Sequence, residues 1–242
     1  MQYADRSWVT FDCFGTLVDW NSGFSALLRP FAGRHTPDVV KAYHRFERLV
    51  ESETPHRLYK DVLVTSLRRA ADEVGLTVTD SQARTLADAW GTLPVFEDVE
   101  PMLAKLRTMG WKLAVLTNCD EDLFAQTLCS FKAPFDMVVT AERVRDYKPS
   151  CSHFRFFSRS SGAENGNWVH VACSWYHDIA PARDLGIRRI WVDRDDTGED
   201  PTTASVRIRS ASEVCEAIGR LLGTDGSPDA SSRTQHDHRS PA

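Results

Sequence analysis

Five short apolar runs constrain the fold more than any other feature: WVTF (8–11), LAVLT (113–117), DMVVT (136–140), WVHVA (168–172) and IRRIWV (187–192). Runs of this kind suit strands buried on both faces, which belong to parallel sheets covered by helices. The segments between them, EPMLAKLRTMG, DEDLFAQTLCSF and DIAPARDLG, carry apolar residues at spacings of three and four, and two of them end in the glycine expected just past a helix. This alternation predicts an α/β protein with a doubly wound, Rossmann-like parallel sheet. It breaks between 21 and 92, where FSALLRPF, DVVKAYHRFERLVES, LYKDVLVTSLRRAADEVG and DSQARTLADAWG follow one another with no strand between them. An inserted all-helical domain is expected there. Residues 1–20 and 93–222 would then form the α/β core and 21–92 the helical insertion, while the Ser-, Asp-, Pro- and Gly-rich stretch 223–242 reads as a disordered tail.

With 242 residues, 42% of them hydrophobic, the chain can bury a sizeable core. Its formal charge of -5, from 29 basic and 34 acidic residues mixed along the chain, lacks the basic excess of a nucleic-acid binder. No run approaches the ~18 apolar residues of a membrane span, and MQYADRSWVTFD has no basic segment followed by an apolar one. A cytoplasmic protein with no nucleic-acid or membrane partner is expected. The six cysteines include no CxxC pair and read as reduced thiols rather than a disulfide framework or a zinc site.

In a parallel α/β sheet the ligand sits outside the carboxyl ends of the strands, so the residues there carry the functional information. The first strand end supplies Asp12 and Thr16, the second Thr117 and Asn118, the loop after the third Lys148 in DYKPS, and the fourth Asp178 in SWYHD. Each has an ordinary explanation when taken singly. Asp12 and Asp178 can cap helices, Thr117 and Asn118 can form turns, and Lys148 can be a solvated loop residue. Their convergence on one crevice argues for a reactive carboxylate with a hydroxyl, an amide, a lysine and a second acid around it.

These motifs, FDCFGTLVD, LAVLTN, YKP and HD in that order, resemble those of the haloacid dehalogenase superfamily over residues 6 to 222. The resemblance implies that Asp12 is the nucleophile, that the helical insertion is a cap domain, and that the substrate lies between cap and core. Phosphatases of the superfamily carry a second Asp two residues after the nucleophile as general acid and base. Here that position is Phe14, which cannot transfer a proton, and an aromatic followed by GTL is similar to the 2-haloacid dehalogenase branch. Halide leaves without a proton, so Asp12 alone would suffice, forming an ester that water then hydrolyses.

On that resemblance Lys148 keeps Asp12 ionised and Asp178 orients Lys148 and the water. Thr16 and Thr117 hydrogen-bond the carboxylates of enzyme and substrate, Asn118 holds the departing halide, and Ser174 survives from a polar series before the last acid. Tyr59 is the aromatic contact from the cap, and Arg45, in AYHRFER, is matched to its halide-side arginine, with Arg48 as the competitor. Two departures stand out: Phe154 replaces a family tyrosine, and ACSWYHD places Cys173 and Trp175 where the branch has polar groups. A small organic acid is the expected partner, with homodimerisation left open, and no cofactor or metal is expected. Alternatives are ring opening of an azetidine-2-carboxylate-like acid by the same carboxylate chemistry, or a phosphatase or phosphonatase, for which alone Mg²⁺ would be needed.

Overall fold

The computed structural model describes residues 7–223. Of the expected tail, 223–242, Gly223 caps the last helix and residues 224–242 lie outside the described residues. Strands β1 (Trp8–Phe11), β2 (Lys112–Thr117), β3 (Met137–Thr140), β4 (Trp168–Ala172), β5 (Arg188–Val192) and β6 (Val206–Ile208) form one sheet in the order β3-β2-β1-β4-β5-β6. Every neighbouring pair is parallel. Five of these strands coincide with the five apolar runs. The sixth, VRI, alternates with a polar residue at the sheet edge, which is why no apolar run marks it.

Four helices, α1 (Trp20–Ala32), α2 (Thr36–Glu51), α3 (Tyr59–Glu73) and α4 (Asp80–Asp88), make up the insertion after β1. Their apolar faces meet in a shared interior containing Phe24, Leu28, Tyr43, Leu63, Leu67 and Trp90, all fully buried. Helices α5 (Val99–Thr108), α6 (Glu121–Leu128), α7 (Ala141–Val144), α8 (Ser152–Ser161), α9 (Ala180–Asp184) and α10 (Val214–Leu222) belong to the α/β part. Helix α8, SHFRFFSRSS, was not evident in the sequence; it buries His153, Phe154 and Phe157, and apart from Phe156 its remaining residues are polar.

The insertion and the sheet share an apolar interior, and specific polar contacts fix how they meet. The chain enters and leaves it as two adjacent strands of backbone, joined by Asp19 N–H to the Pro94 carbonyl at 2.7 Å and Phe96 N–H to the Leu17 carbonyl at 3.0 Å. Helix α3 has no side-chain cap of its own at Leu58. Asp120, from the end of β2, supplies one instead, accepting the N–H groups of Tyr59 (2.7 Å) and Lys60 (2.9 Å). A carboxylate at a helix N-terminus satisfies otherwise orphaned donors and complements the helix dipole, so this contact fixes Tyr59 over the strand ends.

Candidate active site

β1 lies between strands that wind away in opposite directions, and the crevice at its carboxyl end is the ligand position of such sheets. Asp12 stands there. The turn after it is tight: Leu17 N–H reaches the Cys13 carbonyl at 2.7 Å and Gly15 N–H the Val18 carbonyl at 2.7 Å. Gly15 has φ +93°, and a Cβ there would meet Cys173 Sγ at 2.7 Å, so both conformation and space demand glycine.

Both oxygens of Asp12 are held. Lys148 Nζ donates to Oδ1 at 2.9 Å and the Thr16 hydroxyl to Oδ2 at 2.7 Å, while Thr16 accepts the Cys173 N–H at 2.8 Å. Lys148 is 1% exposed and spends its other two protons on Asp178 Oδ1 (2.7 Å) and the Leu116 carbonyl (2.9 Å). Burial alone would depress the Lys148 pKa, but Asp12 and Asp178 outweigh it and hold the ammonium above its ordinary value. Burial likewise acts to raise Asp178, and Lys148 and the His170 hydrogen bond outweigh that, holding it below the usual carboxylate range. Asp12, Lys148 and Asp178 thus form one ion cluster at the crevice.

A second relay supports it from below. Trp168 Nε1 donates to Thr10 Oγ1 at 2.8 Å, Thr10 Oγ1 lies 2.8 Å from His170 Nδ1, and His170 Nε2 lies 3.0 Å from Asp178 Oδ1. With Thr10 donating to Nδ1, the ring proton sits on Nε2 and points at Asp178. Sequence spacing gave no reason to single out His170, because it lies inside β4 and is linked to Thr10 on a different strand. Asp178 Oδ2 and Thr117 Oγ1 are buried on residues that line the cavity and have no hydrogen-bond partner. They are free to meet a bound molecule.

Above the cluster lies a cavity of about 550 Å³ between helical insertion and sheet. Its aromatic wall includes Phe14, 4.5 Å from Trp90 between ring centroids, and Tyr59, 5.3 Å from Trp90. Tyr59 is both wall and core: it lines the cavity, is 3% exposed, and its hydroxyl bonds Glu47. Ser174 lines the cavity and caps the turn Trp175–Ile179, accepting the His177 N–H at 3.1 Å. Burial, then Asp12, pushes the Cys173 thiol up, so it stays protonated beside Asp12. Phe154 is absent from the cavity and packs edge-on against His170 at 5.0 Å.

Two expectations are corrected. Arg45 does not reach the cavity. On α2 the residues facing it are His44, Glu47, Arg48 and Glu51, one face at i, i+3, i+4 and i+7. Arg45 falls off that face, is half exposed, and pairs with Glu73. Arg48 lines the cavity in its place. Asn118 lines the cavity too, but both its amide protons are committed, to Glu51 (3.2 Å) and to the Lys148 carbonyl (3.0 Å), while its oxygen accepts the Lys148 N–H (2.8 Å). It braces the Lys148 loop, and its side-chain amide has no proton left for a halide.

Comparison with known proteins agrees with this architecture. Residues 9–192 match the family model for haloacid dehalogenase-like hydrolases, and the chain belongs to that family. Among curated relatives, an (S)-2-haloacid dehalogenase of Pseudomonas sp. (strain YL) is 23% identical over 220 residues, covering 86% of this chain and 94% of that protein. A phosphoserine phosphatase of Thermus thermophilus is 30% identical over 154 residues, 61% of each chain. A solved L-2-haloacid dehalogenase from Xanthobacter autotrophicus, with chloropropionic acid covalently bound, superposes with a TM-score of 0.77 at 17% identity, covering 88% of this chain and 98% of that one. Another L-2-haloacid dehalogenase reaches 0.80 at 20% identity, with 90% and 98% covered. The helical insertion is accordingly the family's cap.

Proposed function

We propose that the chain hydrolyses a carbon–halogen bond in a small 2-haloalkanoic acid of (S) configuration, with Asp12 as nucleophile. The observation that carries this reading is the environment of Asp12. Its carboxylate faces an aromatic-walled cavity, is held by Lys148 and Thr16, and has Phe14 rather than a proton donor two residues on.

An Asp12 oxygen attacks C2 of the acid, the C–O bond forms, and the C–halogen bond breaks with its electron pair leaving on the halide. Lys148 holds Asp12 oriented for this attack through its hydrogen bond to Oδ1. Water then adds to the ester carbonyl of Asp12, with the unpartnered Asp178 Oδ2 placed to orient it. The 2-hydroxy acid departs, one proton passes to solvent, and one water oxygen stays in the Asp12 carboxylate. Thr117 Oγ1 supplies a hydroxyl for the substrate carboxylate, and Tyr59 with Phe14 and Trp90 excludes water from the reacting carbon.

The phosphatase alternative fits the donor set poorly. Magnesium favours an octahedral shell of oxygens, and here the position between Asp12 and Asp178 is filled by the Lys148 ammonium while Phe14 occupies the place of a further carboxylate. No step is assigned to a metal, and none is needed for halide departure.

A single turnover in ¹⁸O water tests the assignment. Mass spectrometry of the peptide containing FDCFGTLVDW should show one label in Asp12, after a transient adduct of substrate mass. An unlabelled carboxylate overturns the covalent route. A parallel screen without added metal, covering chloroacetate, fluoroacetate, 2-chloropropionate, azetidine-2-carboxylate and para-nitrophenyl phosphate, sorts the leaving groups.

A further inference from the structure

His170 is a fully buried imidazole in the middle of β4, among Trp168, Val169, Val171 and Ala172. An apolar side chain would serve the packing there as well, and a polar ring is costly to bury unless its nitrogens are partnered. Both are. The hydrogen bonds that partner them run in one direction, because the Trp168 indole at their start can only donate. Trp168 Nε1 donates to Thr10 Oγ1 (2.8 Å), Thr10 directs its own proton at His170 Nδ1 (2.8 Å), and the ring proton on Nε2 is aimed at Asp178 Oδ1 (3.0 Å).

The consequence lies at Asp178. Its Oδ1 accepts both Lys148 Nζ (2.7 Å) and His170 Nε2, whereas Oδ2 is buried without a partner on a residue that lines the cavity. Two donors from different directions on one oxygen fix the plane of the carboxylate and leave the other oxygen for the cavity. Lys148 alone would leave the group free to turn about its Cβ–Cγ bond. Among the described residues these two are the side chains that donate to Asp178. Phe154, at the place where the family resemblance calls for a tyrosine, meets the His170 ring edge-on at 5.0 Å and offers no hydroxyl. Asp12, by contrast, is held by Lys148 and Thr16, with no bond to His170.

We propose that His170 is a positioning residue for the second half-reaction: by fixing Oδ1 it turns Oδ2 of Asp178 toward the cavity, where that oxygen orients the water that attacks the ester. The inference rests on the reading of Asp12 as the alkylated nucleophile. In this half-reaction the water oxygen bonds to Asp12 Cγ and the bond from Cγ to the alkylated oxygen breaks. One water proton ends on the departing 2-hydroxy acid and the other passes to solvent. Alkylation makes no use of Asp178 Oδ2, so loss of His170 should separate the two halves of the reaction, leaving the first nearly intact and slowing the second.

Rapid-quench kinetics on the full chain test this, with chloroacetate or 2-chloropropionate, whichever is turned over faster. His170→Leu removes both hydrogen bonds, His170→Asn keeps an acceptor for Thr10 but is too short to reach Asp178, and His170→Gln keeps a donor within reach of Asp178. In the Leu and Asn variants chloride should appear in a stoichiometric burst within about threefold of the native rate, followed by turnover slowed about 100-fold, with the substrate-mass adduct accumulating on Asp12. The Gln variant should recover turnover to within about tenfold of native and accumulate no adduct. Turnover unchanged in the Leu and Asn variants overturns the assignment and leaves Asp12 as nucleophile. So does a burst slowed as much as turnover, with no adduct, which would make His170 a support of the whole cluster. Failure of both variants to fold overturns it as well, because the ring is then needed for the sheet itself. A native protein that gives neither chloride nor adduct removes the Asp12 reading and this inference with it.

Discussion

The two halves of the cavity balance their charges differently. On the sheet side every charge has a partner at hydrogen-bond distance: Lys148 donates to Asp12, Asp178 and a backbone carbonyl, and His170 completes Asp178. On the cap side two buried glutamates share hydroxyls, one amide and two histidines. A fully compensated cluster is rigid, because moving any member exposes an unpaired buried charge. An under-compensated one is open to a ligand. In the proposed reaction, the chemistry that must be oriented before the substrate arrives sits on the first.

The largest effect expected from breaking the sheet-side cluster is on turnover. If Asp12 is the nucleophile proposed above, Asp12→Asn should lower halide release by at least about 10⁴-fold, as loss of an attacking group does in other covalent enzymes. Lys148 still pairs with Asp178 in that variant, so the melting temperature should change little. Steady-state kinetics and a thermal scan read the two quantities independently.

Lys148→Met should be next, and should act on stability as well as activity. It leaves Asp12 and Asp178 facing each other without a counter-charge, at a cost of about 3–5 kcal/mol in urea unfolding. Combining it with Asp12→Asn should return part of that loss, because one of the two unpaired charges is gone. A double variant no more stable than Lys148→Met alone would show that the cluster is not electrostatically coupled as described.

The same division explains what could be read from the sequence. Asp12, Thr16, Thr117, Lys148 and Asp178 were legible because each follows an apolar run, and the topology of a parallel sheet brings strand ends together whatever the loops do. His170 was not, since it lies inside a strand and its role depends on Thr10 across the ladder at Thr10↔His170. On the cap, a residue's function depends on which face of α2 it occupies, and charge alone pointed to Arg45. The signal was present in the i, i+3, i+4, i+7 series His44, Glu47, Arg48 and Glu51. Reading it required knowing that this face, and not the opposite one, looks at Asp12. Strand β6 and helix α8 were hidden for a simpler reason: one is three residues long and the other is largely polar.

The cap-side charges should also give a smaller effect, a pH dependence of docking. Burial would lower the His177 pKa, but Glu51 outweighs it and raises it; burial raises Glu51. For both groups the folded pKa lies above the unfolded one. Their contribution is therefore fully present below the unfolded values, about 4.3 for Glu and 6.5 for His, and is lost as pH rises through the folded values. Stability should decline as pH rises past neutrality, and His177→Gln should flatten the histidine part of that slope. An unchanged slope in urea titrations across this range would mean that His177 carries no charge in the docked cap.

The smallest effect is expected at Arg45, and it sharpens the contrast because its neighbour on the helix should behave differently. The Arg45–Glu73 pair is 52% and 45% exposed, and ion pairs of that kind contribute about 0–1 kcal/mol. Arg45→Ala should therefore leave kcat, KM and the unfolding midpoint nearly as they are. Arg48 lines the cavity and makes no ion pair among the described residues, so its guanidinium is available to an anionic group. Arg48→Ala should raise KM for small acids by about tenfold, with a much smaller change in kcat, the pattern of lost binding shared by ground and transition states. The cavity-facing His44 and Glu47 are three positions apart, and Arg45 lies between them on a different side of the helix. If Arg45→Ala raised KM and Arg48→Ala did not, α2 would have to be rotated relative to the strand ends by more than about 100° of helical turn, since a shift of one residue still keeps Arg48 on the cavity face. That rotation would carry Glu47 and Glu51 out of the cavity as well.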